Sequence, residues 1–274
     1  METKLLSIRE ILLGYDRISQ LYPYIPSLCL WRSWEIAAYQ RYRLREPVID
    51  IGCGDGRFFQ LVWPKVRDVV GIEIDPEIAD AARKSGVYKN VYVTPASQWP
   101  VLPQSFDSAF ANCSLEHMDD LHDVLINISR SLQKGGRFLF SIVTDKFLEW
   151  LPLSLLMDQL GLKERGRELQ AEYEKYHHLV NPLPVEIWMR HLKEARFEIL
   201  EYTPILPEMT SRLFLFLDHL WHVRQADGEL GSRLAPYFAS LPHFNQALRN
   251  ILAGLLHMEK DWLIASGVIF YARK

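Results

Sequence analysis

Val48-Ile-Asp-Ile-Gly-Cys-Gly-Asp-Gly56 decides the fold of this chain. Four residues of buried-strand character run directly into glycines 52, 54 and 56, and a helical pattern begins at once, Gly56–Val62. Three closely spaced glycines let the backbone turn tightly and let a ligand lie against it. About twenty residues on, Gly71-Ile-Glu-Ile-Asp75 ends a second strand, Val69–Ile74, on an acid. A carboxylate at that place can accept hydrogen bonds from both hydroxyls of a ribose.

Outward from this unit the same rhythm continues. A helix is expected over Pro76–Lys84, with proline in its first turn. Strands are expected at Val91–Thr94 and Phe106–Ala111, a helix from about Asp119 to Leu132, a turn at Gly135–Gly136 and a strand at Arg137–Val143. Strands alternating with helices at this spacing predict βαβ units and a parallel sheet. Beyond Val143 the rhythm fails. Asp145–Val180 reads as mostly helical, Val185–Ala195 as a helix, Phe197–Tyr202 as a strand and Gly267–Tyr271 as a closing strand. Between the last two, about sixty residues carry helical stripes (Leu213, Phe216, Leu217, Leu220; Phe244, Leu248, Ile251, Leu252, Leu255) and no strand signal. Residues 1–45 read as helical, broken at Pro23 and Pro26.

Composition narrows the function. The chain has 274 residues, 49% of them hydrophobic, and a net charge of −3. That near-neutral balance gives no general attraction to phosphate backbones, so nucleic acid is not an expected partner. Cys29, Cys53 and Cys113 are scattered without CxxC spacing and read as free thiols of a reducing compartment, which points to the cytoplasm. Met1 to Gly14 alternates charged and apolar residues, so no secretory leader is expected. No stretch reaches the roughly 18 uninterrupted apolar residues of a spanning helix.

The charges in the glycine loop choose between ligands. A nicotinamide or flavin dinucleotide would place its pyrophosphate at the helix N-terminus, where Asp50 and Asp55 would repel it. S-adenosylmethionine carries no phosphate, and its sulfonium and ammonium suit acidic surroundings. The spacing GxGxG, rather than GxGxxG, points the same way. A strand–turn–helix that needs glycine merely to turn is the bland alternative.

Val48–Gly56 resembles the first motif of class I S-adenosylmethionine-dependent methyltransferases, within the broad group that includes the ubiquinone/menaquinone-biosynthesis type (methyltransferase type 11). Gly71–Asp75 matches the second motif, with Glu73 at the ribose-binding position. Ser105–Asn112 resembles the fourth-strand motif, Ser114–Asp120 the loop beside the transferred methyl, and Leu132–Phe138 the turn into the fifth strand. The likeness covers roughly residues 46–143 and returns weakly at 185–202 and 267–273. It implies an α/β fold with a doubly wound, mostly parallel seven-stranded sheet. Together with the helical patterning outside that likeness, the expected organisation is an N-terminal helical region (1–45), a methyltransferase core (46–203 plus 263–274) and a helical cap insertion (204–262). The likeness also implies cofactor contacts at Asp50, Gly52, Cys53, Gly54, Gly56, Glu73, Ile74, Ala96, Ser97 and Asn112. One departure stands out. Where the family often has Asp-Ala, whose carboxylate holds the adenine amino group, this chain has Thr94-Pro95-Ala96-Ser97. Pro95 supplies neither a carboxylate nor an N–H, which leaves the Ala96 N–H and the Ser97 hydroxyl for the adenine.

Several side chains carry two readings each. Trp99 either packs near the purine or fills core. His117, after the fourth strand, is a candidate general base, or it packs the start of the next helix. His177 and His178 are candidates for acceptor contact or acid/base work, or they lie on the surface. Adjacent histidines lack the spacing of a helical metal pair, and no third ligand stands out in the sequence, so no metal is expected. Arg32 either meets the cofactor carboxylate or pairs with Glu35 one helical turn on. Residues 204–262 either cap the site over an apolar acceptor, fill core or a dimer contact, or touch a membrane shallowly. The reading is methyl transfer to a small, apolar or amphiphilic organic acceptor, with an oxygen acceptor mildly preferred. A nicotinamide-dependent oxidoreductase and a non-catalytic cofactor-binding or partner-binding subunit are the rivals.

Overall fold

The computed structural model describes residues 1–226 and 228–274. The chain opens with β1 (Glu2–Thr3), α1 (Ile8–Leu21) and α2 (Pro26–Tyr39). β2 (Val48–Ile51), α3 (Arg57–Val62), β3 (Val69–Glu73), α4 (Pro76–Ser85) and β4 (Asn90–Val93) follow in βαβ succession. β5 (Phe106–Asn112) leads through a 3-10 turn (Leu115–His117) to α5 (Leu121–Ser131) and β6 (Leu132–Val143). Four helices come next: α6 (Lys146–Glu149), α7 (Pro152–Gln159), α8 (Lys163–Tyr176) and α9 (Val185–Glu194). After β7 (Glu198–Ile205) come α10 (Glu208–Trp221), the short ribbon β8 (Arg224–Gln225) and β9 (Gly228–Glu229), α11 (Gly231–Ser240), α12 (Phe244–Met258) and finally β10 (Gly267–Arg273).

The main sheet has the order β1-β7-β10-β6-β5-β2-β3-β4. Only β10 runs antiparallel to its neighbours. β2 sits between β3 and β5, with the chain crossing over in opposite directions on its two sides, so a crevice opens at the carboxyl ends of β2 and β5. Period-two alternation divides the side chains between two cores. Val48, Val69, Phe110, Leu139 and Ile269 join the core beneath α1, α2, α10 and α12. Ile49, Ile51, Ile72, Ala109, Phe138 and Phe270 join the core beneath α5 and α9, where Trp188 and Leu192 are fully buried.

Three expectations change. The sheet has eight strands rather than seven, because Glu2–Thr3 pairs in parallel with Glu201 and Tyr202 at the edge; two residues carry no periodic signal within a region that reads as helical. Gly135–Gly136 does not leave the sheet. Gly135 N donates to Lys274 O and Lys274 N to Gly136 O, so the C-terminus holds β6 in continuous strand across an irregularity in its pairing with β5. The segment 204–262 contains the ribbon β8–β9 and begins within β7, which runs on to Ile205.

α10 and α12 pack on the N-terminal helices. The Trp31 and Phe214 ring centroids are 5.2 Å apart, Arg249 Nε lies 2.6 Å from Asp16 Oδ1, and Tyr15 donates to Asn245 O at 3.0 Å. α1, α2, α10 and α12 thus form one helical layer on this side of the sheet. Among the described residues no helix is long and apolar enough to cross a membrane.

Candidate functional site

The glycine loop takes its shape from local backbone demands. Gly52 and Cys53 both donate their N–H to Ile72 O, at 2.9 Å each, which ties the end of β2 to β3. Gly52 sits at φ +69°, and a Cβ there would come 2.5 Å from Ser114 Cβ. Gly54, at φ +56°, has open space where its side chain would be.

Two cavities flank the loop and meet at Gly52. The larger, about 400 Å³, runs over the ends of β3, β4 and β5 and is lined by Glu73, Ile74, Ala96, Ser97, Ser114, His117, Met118, Asp120 and His178, among others. The smaller, about 150 Å³, is lined by Tyr22, Arg32, Asp50, Cys53, Gly54, Gly56, Phe58 and Asn112. Every cofactor-binding residue expected from the sequence therefore lines one cavity or the other. Trp99 lines neither; it is buried against Tyr92 and Phe106 as core.

Glu73 is built into this floor. Its Oε2 accepts Gly54 N–H at 3.0 Å, and its Oε1 accepts Ile74 N–H and Asp75 N–H at 2.9 and 3.1 Å. Three backbone donors fix the carboxylate, and a carboxylate's remaining lone pairs can still accept from a ligand. Asp75, two residues on, does different work. It is the N-cap of α4, its Oδ1 accepting from Glu77 N and Ile78 N at 2.8 and 3.0 Å. Ile74 is 66% exposed at the cavity edge, an apolar plate of the kind that a flat ring covers.

The smaller cavity carries opposite charges. Asp50 is buried and accepts from Tyr88 OH at 2.7 Å. Burial, reinforced by the neighbouring Glu73 and opposed by the Tyr88 hydrogen bond, pushes its pKa up to about 7. Arg32 lines the same space and pairs with Glu35 at 2.6 Å, the intrahelical ion pair expected from their spacing. Glu35 is fully buried and accepts in addition from Trp31 Nε1 (2.9 Å), Ser141 Oγ (2.7 Å) and Cys113 Sγ (3.0 Å). This pairing locks α2 to β6 and fixes the root of the Arg32 guanidinium.

Of the three histidines, two face the larger cavity. His117 Nδ1 lies 3.1 Å from His178 O, and burial lowers its pKa. With Nδ1–H donating to that carbonyl, Nε2 keeps a lone pair near neutral pH. His178 sits at φ +49° just past α8. His177 turns away from the cavity, its ring 4.3 Å from Tyr173 and its Nε2 3.1 Å from Asp218 Oδ2.

Sequence reasoning missed two features. Asp120 lines the larger cavity and accepts from Ser97 Oγ at 3.2 Å, so a carboxylate stands beside the segment whose own acid is replaced by Pro95. Its signal was the Asp119-Asp120 pair following the fourth strand. The grouping of His177 with Asp218 and His222 had no sequence signal, since some forty residues separate the first from the other two.

Residues 49–140 match the model of the family described as methyltransferase domain. A malonyl-[acyl-carrier protein] O-methyltransferase of Hamiltonella defensa is 32% identical over 94 residues, which make up 34% of this chain and 36% of that relative's length. The protein of the same name from Yersinia pestis is 25% identical over 69% of this chain and 67% of its own length. A Thermotoga maritima structure described as an S-adenosylmethionine-dependent methyltransferase, possible histamine N-methyltransferase, superposes with a TM-score of 0.55 at 20% identity, covering 97% of this chain and 98% of that one.

Proposed function

We propose that this chain, whose residues 49–140 match the model of a methyltransferase domain, is an enzyme that uses S-adenosylmethionine to methylate an oxygen of a small organic acceptor. The observation that carries this reading is the pair of cavities joined at Gly52, the smaller holding both Asp50 and Arg32. An amino acid's ammonium and carboxylate match that acid and that guanidinium, and a nucleoside fits the larger space. Gly54, at the smaller cavity, leaves its side-chain position open. A pyrophosphate would instead meet Asp50 and Asp55, which disfavours the nicotinamide reading.

When bound, the cofactor supplies an electrophilic methyl carbon on a sulfonium leaving group. In this reading Arg32 and Asp50 hold its amino-acid end, and Glu73 accepts from the ribose hydroxyls. Ile74 and Ala96 flank the adenine, and Asp120 with Ser97 accepts from its amino group. The acceptor oxygen lines up by way of the larger cavity, and His117 Nε2 takes the proton that this oxygen loses. The O-methyltransferase names of the relatives support an oxygen acceptor. The free thiols Cys29, Cys53 and Cys113 accord with a cytoplasmic site of action.

Calorimetry and thermal shift with S-adenosylhomocysteine against NAD test this reading. Binding of the first alone, with a raised melting temperature, supports it; no heat and no shift from folded protein at millimolar S-adenosylhomocysteine overturns it. Asp120→Ala should weaken S-adenosylhomocysteine binding about tenfold, the worth of one hydrogen bond to a charged group. Unchanged affinity in that titration would remove Asp120 from the adenine.

Affinity should also depend on pH. A ligand ammonium beside Asp50 favours the carboxylate, so binding releases a proton wherever Asp50 is protonated in the free protein. With the Asp50 pKa raised to about 7, S-adenosylhomocysteine should bind more tightly as pH rises toward 7, by up to about tenfold per unit below it. Asp50→Asn should flatten that slope. A wild-type affinity equal at pH 5.5 and 7.5 would place the ammonium elsewhere.

A further inference from the structure

We propose that His177, Asp218 and His222 bind a divalent transition-metal ion, with zinc the best match, at a site separate from the methyl-transfer cavities. His177 caps the C-terminus of α8, Asp218 lies in the last turn of α10, and His222 follows α10 by one residue. His177 Nε2 is 3.1 Å from Asp218 Oδ2, His222 Nε2 is 3.6 Å from Asp218 Oδ1, and one ligand atom from each residue lies within 4.8 Å of the others. Tetrahedral zinc with bonds of about 2.0–2.1 Å sets its ligand atoms about 3.4 Å apart. The trio thus needs only small side-chain adjustments to close on an ion.

His177 Nε2 is buried yet makes no aligned hydrogen bond, although the carboxylate is 3.1 Å away. Asp218 is 6% exposed in a setting otherwise rich in aromatic rings, including Tyr173, Tyr176 and His219. The surrounding contacts also prepare the ligands. His222 Nδ1 lies 2.7 Å from the Tyr176 hydroxyl oxygen and 3.1 Å from Glu229 Oε2; with the Tyr176 proton given to Glu229, Nδ1–H donates to these oxygens and the lone pair falls on Nε2, toward Asp218. Tyr176 OH donates to Glu229 Oε1 at 2.5 Å, and Tyr173 OH donates to Asp218 Oδ2 at 2.7 Å. A carboxylate behind a ligating histidine and a hydroxyl on a ligating carboxylate are the usual outer supports of zinc. Two imidazoles and one carboxylate suit zinc better than magnesium or calcium, which take oxygen ligands. A water molecule would complete four-coordination.

Such an ion would clamp α8 to α10. His178, next in the chain, lines the larger cavity, and its carbonyl faces His117 Nδ1. Metal binding would therefore set the wall of the acceptor entrance without taking part in methyl transfer.

The test uses the full chain, stripped with EDTA and titrated with zinc by calorimetry, with cobalt as a spectroscopic probe. One zinc per chain, a raised melting temperature and visible cobalt bands of tetrahedral type are the expected results. His222→Gln and His177→Gln, each checked for fold by circular dichroism, should weaken zinc binding by on the order of a hundredfold, and Glu229→Gln by about tenfold. His257→Gln, outside the site, should bind as the wild type does. Folded, stripped wild type that takes up no stoichiometric zinc at micromolar concentration overturns the proposal, as does binding unchanged in both the His177 and His222 variants. All of these readouts are independent of S-adenosylmethionine binding and of turnover.

Discussion

Glu73→Gln should weaken S-adenosylhomocysteine binding ten- to a hundredfold while Asp75→Asn changes it little. Hydrogen bonds to a charged group are worth roughly 1.5–3 kcal/mol, which corresponds to that range. The substitution keeps the side chain's shape but removes the charge and one acceptor oxygen. Glu73 spends both oxygens on backbone donors, Gly54 N on one side and Ile74 N and Asp75 N on the other. A glutamine amide must turn its NH2 toward one of those N–H groups, so the loop loosens as well and the melting temperature should fall. Asp75→Asn is the proper control because asparagine caps a helix about as well as aspartate, and the Asp75 Oδ1 contacts to Glu77 N and Ile78 N survive. Calorimetric titration of both variants decides the matter. Lost binding in Asp75→Asn with near-normal binding in Glu73→Gln would show that the two acids have been assigned the wrong way round.

Gly52→Ala should damage both the fold and the site. An alanine at φ +69° costs roughly 1–2 kcal/mol. Its Cβ, 2.5 Å from Ser114 Cβ, must also displace a side chain whose hydroxyl donates to Ile51 O at 2.8 Å. Overpacking of this kind costs typically 1–3 kcal/mol, so denaturant unfolding should show a total loss of about 2–5 kcal/mol. Gly52 lines both cavities, so S-adenosylhomocysteine binding should fall by on the order of a hundredfold or more even where the protein stays folded. Gly86→Ala separates strain from site. It has a similar φ, +72°, with open space at the Cβ and no place in either cavity. It should lose about 1–2 kcal/mol of stability and leave binding intact. Equal loss of binding in both variants would show that the effect at Gly52 comes from general destabilisation.

The difference between what the chain states locally and what it reaches by packing runs through every part of this protein. The strand–glycine–helix unit at Val48–Val62 and the acid at Glu73 were legible because their signals are contiguous. Alternation of side chains, glycines at positive φ and an acid at a strand end are properties of a few neighbouring residues. Their geometry changes little with what lies across the sheet. The same holds for the order of βαβ units from β2 to β6, which short connections and handedness confine to one winding. The edge strand Glu2–Thr3 was not legible, since two residues have no period and their partner lies about two hundred positions away. Nor was the place of residues 204–262, whose apolar stripes announce helices but not the surface they cover; Trp31, Tyr15 and Asp16 decided that by packing. The sequence left Arg32 with two readings, an ion pair with Glu35 one helical turn on or a contact with the cofactor carboxylate. Burial against Trp31, Cys113 and Ser141 made Glu35 a fixed anchor and turned Arg32 toward the smaller cavity. His177 and His178, being adjacent, point to different sides, and the structure sets which side each takes, because α8 ends at Tyr176 with His177 as its cap and the chain turns through positive φ at His178. One then faces the cavity and the other faces Asp218 and His222. Backbone conformation is written in near neighbours and can be read there. The convergence of side chains from α8 and α10 depends on how two helices pack, and only the assembled tertiary structure settles that.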